Sequence, residues 1–307
     1  MQAADLSVRH PTPRDAAAIA ELLNAHAAAT GRRADETAEG VERWFELEDL
    51  DPANDMFLAV EGGRIVGYAD VNAPGGVREV VYVDLRVPPG RGRVVERLLE
   101  EVERRAGELG RAGTRLRAPA NETDDVYRAA LTRHGFEVVR SSFTMEIDLE
   151  APTEEAVWPR GLASRRFLTG EERAVYDAYV EAFADHWGFV PESFADWCNW
   201  NLGPNADTSL WRLVEDDGEL AALCLSTPSR GDDQTVGWVS ILAVRRPWRR
   251  RGLARALLLE SFGLFRSAGR LRAGLGVDSE NTTGALALYE SVGMRATSRS
   301  DTWERAL

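Results

Sequence analysis

Five arginines (Arg246, Arg249, Arg250, Arg251 and Arg255) fall within ten residues of the stretch RPWRRRGLARALL. Such a run suits a nucleic-acid patch, a solvated helix start, or a cradle for one anion. Ahead of it, TVGWVSILAV (235–244) is a near-continuous apolar and β-branched run, which predicts a buried central strand. Pro247 cannot continue that strand. Leu253, Ala256, Leu257 and Glu260 then recur at helical spacing. The arginines therefore belong to a strand-to-helix turn. Backbone N–H groups at a helix start lack partners and carry the positive end of the helix dipole, so anions bind there without side chains. Gly252 and Ala254 are small enough for a phosphate to approach the backbone, and arginines alongside add charge-assisted bonds. Arg-x-x-Gly-x-Ala suits a diphosphate. It matches neither Gly-x-x-x-x-Gly-Lys-Ser/Thr nor the dinucleotide pattern Gly-x-Gly-x-x-Gly.

A second stretch able to do chemistry is VEAFADHWGFVPESFADW (180–197). His186 has an ordinary pKa near 6.5, suited to a base at neutral pH. Asp185 beside it suits a cationic amine. Phe183, Trp187, Phe189, Glu192, Asp196 and Trp197 make the segment dense in aromatics and acids. That density reads as a wall for a flat or sugar-like substrate, or as a structural turn with its tryptophans in the core.

The elements that position these residues occur twice. Met56–Val71 and Ser209–Ser226 each read as a strand, an acidic or glycine turn and a second strand. Val80–Gly110 and Gly237–Gly269 each read as a β-rich run, a Gly/Arg/Pro loop and an amphipathic helix. Val126–Val139 and Ala285–Thr297 each read as a short helix, a glycine stop and a strand. A nearly constant offset over three blocks predicts two copies of one α/β (α+β) unit, 1–152 and 153–307. The joint falls in the polar, proline-bearing stretch EAPTEEAVWPRG (150–161). In the first copy Arg93 stands opposite Gly252, and Val95 opposite Ala254. The anion loop is thus spoiled there. The alternative is that the first copy still binds a nucleotide through Gly90 and Gly92.

Composition narrows the partners. All 37 basic residues are arginine, the net charge is −13 and the pI about 5.0. An acidic chain argues against general nucleic-acid binding and favours a cationic substrate such as an amine. The two cysteines have no metal-ligand spacing, which suggests reduced thiols in a cytoplasmic protein and no metal site. No apolar run approaches a membrane span, and the N-terminus lacks the apolar core of a signal peptide.

The loop has a companion downstream: Asn281, then Leu288, Tyr289, Glu290 and Gly293, with Met294 after it. Together with Arg249, Gly252 and Ala254 this resembles the GNAT acyltransferase superfamily, whose members bind acyl-coenzyme A through an Arg/Gln-x-x-Gly-x-Gly/Ala loop. The resemblance implies two tandem GNAT folds, each a mixed central sheet flanked by helices. It implies acetyl-CoA held by the backbone of Leu242, Ala243 and Val244 and by the turn Arg249, Arg250, Arg251, Gly252, Leu253, Ala254 and Arg255, with Asn281 alongside. It implies Tyr289 as the acid for the departing thiolate, a role a phenol of pKa about 10 can fill. Leu131 stands opposite Tyr289 in the first copy, which is therefore expected to lack competent chemistry.

Two copies with only the second intact resemble the mycothiol synthase branch, which acetylates the cysteinyl amine of a pseudodisaccharide thiol precursor. That branch places a glutamate base where this chain has Trp238. The expected function is acetyl-CoA-dependent N-acetylation of a small-molecule amine. Mycothiol synthesis and a non-catalytic acyl-CoA sensor are the alternatives. Two fused copies supply the contact that single-copy relatives make by dimerising. That points to a monomer, with a homodimer as the other arrangement.

Overall fold

A computed structural model describes residues 5–30, 34, 36–47, 50–73, 79–151, 153–203, 206–230, 233–281 and 284–307. Pro152, at the expected joint, lies outside the described residues, as do the first four residues and Thr282 and Thr283 of the second motif. Two compact units emerge: 1–142 with 298–307, and 143–297. These units differ from a single cut at 152/153 because the last ten residues return to the first unit.

In the first unit the order is β1 (Leu6–Arg9), α1 (Ala16–Ala29), α2 (Ala38–Glu42), α3 (Pro52–Asp55), β2 (Met56–Glu61), β3 (Arg64–Asn72), β4 (Val80–Arg86), α4 (Gly92–Leu109), β5 (Arg115–Asn121), α5 (Asp125–Arg133) and the start of β6 (Glu137–Asp148). Strands β1 to β4 form an antiparallel meander, and β4 pairs parallel with β5. The first unit's sheet is completed by β12 (Arg295–Ala306), whose residues 300–306 pair antiparallel with 115–121 of β5. Val94, Val95, Leu98, Leu99, Val102 and Ala106 recur three and four residues apart. They bury one stripe of α4 on one face of the sheet, in a core that includes Trp303. Ile19, Leu22 and Leu23 of α1 cover the other face with Met56, Leu58 and Tyr68.

The second unit runs through β7 (Ser164–Arg166), α6 (Glu172–Phe183), α7 (Phe194–Leu202), β8 (Arg212–Asp216), β9 (Glu219–Thr227), β10 (Val236–Val244), α8 (Leu253–Ser267), β11 (Arg272–Asp278) and α9 (Ala285–Ser291). Strands β7 to β10 are antiparallel neighbours, β10 pairs parallel with β11, and the end of β6 lies beside β11. The β8–β9 turn places Asp217 and Gly218 at φ of 51° and 81°, the left-handed pair that matches a hairpin's twist. Helix α8 covers one face and the α6–α7 pair the other. Gly237 allows the close approach of α8: a Cβ there would lie 2.2 Å from the Phe265 ring. The expected mixed sheets flanked by helices are therefore present. No helix among the described residues is long and apolar enough to cross a membrane.

Candidate active site

The cleft in the second unit begins with a failure of pairing. Strands β10 and β11 pair only across Val236–Trp238 and Arg272–Gly274. Beyond that, Val239–Val244 keep their ladder to β9 and have none to β11. A bulge between Val239 and Ile241 leaves Ser240 unmatched and exposed. One extra residue flips the side-chain alternation. Before it, Gly237 and Val239 face α8. After it, Leu242 and Val244 do so, while Ile241 and Ala243 face α6 and α7. The backbone of Leu242, Ala243 and Val244 thus lines an internal sheet edge, and Leu242 and Val244 are only half-buried.

At the mouth of this cleft lies the arginine turn. Gly252 takes φ +84° as the residue before α8, and nothing would lie within 4 Å of a Cβ there. Arg250 is also left-handed, at φ 65°. No side chain caps α8, so the amides of Leu253, Ala254 and Arg255 carry the unpaired start of a 15-residue helix.

Most of the arginine side chains are committed elsewhere. Arg245 Nε donates to Glu181 at 2.6 Å, and Arg246 Nε to Asp185 at 2.8 Å. Arg249 donates to the carbonyls of Val244 and Ala182 at 3.1 and 2.9 Å and lies 3.5 Å from Asp185. It thereby ties the turn to the carbonyl end of α6, where a cation is favoured. Arg251 pairs with Asp216 and Arg255 with Glu154. Among the described residues Arg250 makes none of these bonds. The run of five is thus mostly a set of staples, which the sequence could not show because their acidic partners lie 35 to 101 residues away.

Tyr289 projects from α9 and is 8% exposed. Burial, and secondly Cys224, push its phenol up to about 12. Cys224 is fully buried on β9, across from Leu242, with Ser261 Oγ 3.2 Å from its sulfur; burial pushes that thiol up too. Asn281 closes the turn after β11, its N–H donating to Asp278 at 3.2 Å.

His186 and Asp185 lie at the arginine end. Arg246 first, and also Arg249, hold the exposed Asp185 carboxyl below its usual range. Burial lowers the His186 pKa, helped by Arg249, and its other charged neighbours are Asp278 and Asp185. His186 is therefore neutral at pH 7, with its ring 4.3 Å from that of Phe183.

The aromatic segment divides in two. Trp197 is fully buried, 6.1 Å from Trp211, and belongs to the core; Trp187 is 40% exposed. Tyr179, Phe183 and Phe189 form a connected ring cluster in which Tyr179 Oη donates to Glu192 at 3.4 Å. Where the base of related enzymes would stand, Trp238 lies over Gly274, whose missing Cβ would sit 2.7 Å from the indole. The Arg230 guanidinium stacks 4.0 Å from that ring. Sequence reading missed Arg230, because it lies in a loop without periodicity.

The equivalent cleft of the first unit is laced shut. Strands β4 and β5 also pair over only three residues, Val80–Tyr82 with Arg115–Arg117. Across the gap, His26 Nδ1 lies 3.0 Å from the Val87 carbonyl and Nε2 lies 3.7 Å from Asp124. Thr123 donates to the Thr30 carbonyl. Val126 faces the start of α4, 3.8 Å from where a Gly92 Cβ would be, and Leu131 is fully buried.

The second unit thus brings together a bulged strand splayed from its parallel neighbour, an uncapped helix start and a buried, protonated phenol. Comparison with known proteins gives the class. The model of the acetyltransferase (GNAT) family matches residues 173–294. The chain is 30% identical over 270 residues to mycothiol acetyltransferase of Nocardiopsis dassonvillei, covering 77% of each protein. A GCN5-related N-acetyltransferase from Sphaerobacter thermophilus superposes with a TM-score of 0.74 at 32% identity, over 98% of this chain and 95% of that one. A tandem GNAT protein from the clavulanic acid biosynthesis pathway shares the fold, with a TM-score of 0.74 at 20% identity over 98% of both chains. The chain belongs to the GNAT acetyltransferase family and is an acyltransferase with a tandem GNAT fold.

Proposed function

We propose that the second unit transfers an acetyl group from acetyl-coenzyme A to the amine of a small molecule. One observation carries this reading: the unpaired edge of β10 leads from Trp238 straight to the uncapped start of α8. An extended arm ending in a diphosphate fits that path, because the edge offers strand-like hydrogen bonds and the open face of Gly252 lets phosphate reach the amides. Leu242, Ala243 and Val244 hold the arm. Gly252, Leu253, Ala254 and Arg255 hold the diphosphate through their backbone, with the uncommitted Arg250 side chain beside them. Asn281 borders the same mouth.

Acetyl-coenzyme A supplies a thioester, whose carbonyl the amine attacks as the C–S bond breaks. Tyr289 keeps its proton at neutral pH and donates it to the departing sulfur. Trp238 accepts no proton, so the proton of the new N–H⁺ passes through water to the Tyr289 oxygen as the sulfur takes the phenol proton. Asp185 and His186 serve at the phosphate end, where Asp185 sets the positions of Arg246 and Arg249. The exposed Trp187 and the Tyr179–Phe183–Phe189 cluster border the acceptor.

A thiol-release assay with acetyl-CoA and a panel of primary amines tests this. Turnover with an amine is the expected result. Tight acetyl-CoA binding without turnover on any amine would replace the reading with a sensor. The likeness to mycothiol acetyltransferase favours a second acceptor, the mycothiol precursor, and including it in the panel separates the two.

A further inference from the structure

Glu192 ends the aromatic cluster of the second unit as a carboxylate with no positive partner. Tyr176, Tyr179 and Phe183 follow one another on α6 at spacings of three and four, so their rings share one face. Phe183 lies at the arginine end, with the His186 ring at 4.3 Å. Tyr179, one turn back, meets Phe183 at 5.1 Å and Phe189, edge-on, at 5.5 Å. Tyr176, a further turn back, donates to the Glu192 backbone carbonyl at 2.6 Å, which fixes the segment ahead of α7. The Glu192 carboxylate then rests against Tyr179, whose hydroxyl approaches it at 3.4 Å. Tyr179, Phe183, Phe189 and Glu192 are all half-buried, so solvent reaches each of them.

A carboxylate taken partly out of water keeps an uncompensated cost unless a cation joins it. Among the described residues none lies within 4 Å of Glu192. The other residues of the second unit, at 152, 204–205, 231–232 and 282–283, carry no positive side chain. The ionisable neighbours of Tyr179 are Glu192 and Tyr176, so no cation stands at that ring to repel another. Arg173, beside Tyr176, is engaged with the Phe194 ring at 3.9 Å and with Asp177 at 3.8 Å. Arg245, Arg246 and Arg249 are at the opposite end of the cluster. Charge therefore changes sign along this face of α6, from positive at the turn, where an anion fits, to negative at Glu192. Aromatic faces also attract cations, so carboxylate and rings select the same kind of group.

A carboxylate beside an amine favours its charged form. A nitrogen must shed its charge before it attacks a thioester, so the group that suits Glu192 is not the one that reacts. Given the reading of the second unit as an amine acetyltransferase, on which this rests, we infer that Glu192, with the rings of Tyr179 and Phe189, selects acceptors bearing a second amine that stays protonated. The substrate class is thus a diamine. Glu192 determines specificity and takes no proton during transfer.

The test compares 1,4-diaminobutane with 1-aminopentane, which matches it in length and lacks the second charge. Isothermal calorimetry should show the wild type binding the diamine at least ~10-fold more tightly, and Glu192→Gln should abolish that preference. In the thiol-release assay the same substitution should raise KM for the diamine at least ~10-fold while kcat/KM for 1-aminopentane and KM for acetyl-CoA stay unchanged. Equal affinity of the wild type for the two amines overturns the inference, as does a preference that survives in Glu192→Gln. So does an absence of binding at about 10 mM diamine, well above a millimolar Kd. Calorimetry reads binding without transfer. Selective diamine binding without turnover of any amine would therefore remove the acetyltransferase reading and keep the Glu192 site. Turnover of both amines with equal kcat/KM would keep the enzyme and remove the site.

Discussion

At pH 7 the Tyr289 phenol, pushed up to about 12, holds its proton and cannot serve as a base. The same shift makes it a reluctant acid. Full transfer to a free thiolate of ordinary pKa near 8.5 is uphill by ~5 kcal/mol. On the proposed reading, donation therefore accompanies C–S cleavage and loss of the amine proton, with no free phenolate in between. Tyr289→Phe is expected to lower kcat by roughly 10- to 1000-fold with little change in KM for acetyl-CoA, read by thiol release. Unchanged kcat would remove the role. Asp70 is the other residue whose environment dictates its chemistry. Burial first, then Asp84, raise its carboxyl to about 7. The groups facing it are Tyr68, Asp84, Arg86, Asp55 and Tyr127. A folded-state pKa raised above the unfolded value gives stability that is complete below pH ~4 and lost as pH climbs through 7. Asp70→Asn removes that loss, so its melting temperature should exceed that of wild type more at pH 8 than at pH 4. A difference independent of pH would contradict the raised value.

The turn between β10 and α8 was readable because its requirement is local. A left-handed residue before a helix calls for glycine, and Gly252 is there. Gly252→Val would force a β-branched side chain into φ +84° and into the face open to phosphate. It should cost ~1–2 kcal/mol in stability. It should also raise KM for acetyl-CoA at least ~10-fold, one decade being 1.4 kcal/mol of binding. An unchanged KM in steady-state kinetics would free the turn from its assigned part. What depends on remote partners was not readable. The arginine side chains look like anion ligands in sequence, yet Asp185, Asp216 and Glu154 occupy three of them. The bulge at Ser240 has no residue signature, and neither does the division of the aromatic segment into buried Trp197 and exposed Trp187. Composition registers aromatic density, whereas only packing decides which rings face solvent.

For the molecule as a whole, the repeat predicted two folds of one type, and the GNAT neighbours cover the whole chain. It did not predict that β12 completes the first unit, since strands of similar pattern are interchangeable until register is set. Trp303, 7% exposed, anchors β12 in the first core. Trp303→Ala should destabilise that unit by ~3–5 kcal/mol. Amide exchange at β5 would accelerate accordingly, and unchanged protection there would show β12 to be dispensable. The placement of β12 also bears on biogenesis. Residues 143–297 are made between the body of the first unit and the strand that finishes it. At ~5–20 residues per second the ribosome needs roughly 8–30 s to cross that interval. Throughout it β5 presents an unpaired edge, the kind that recruits a strand from a neighbouring nascent chain. Crowded polysomes, rather than heat or denaturant, are therefore where this fold is most exposed to exchanging its last strand with another copy.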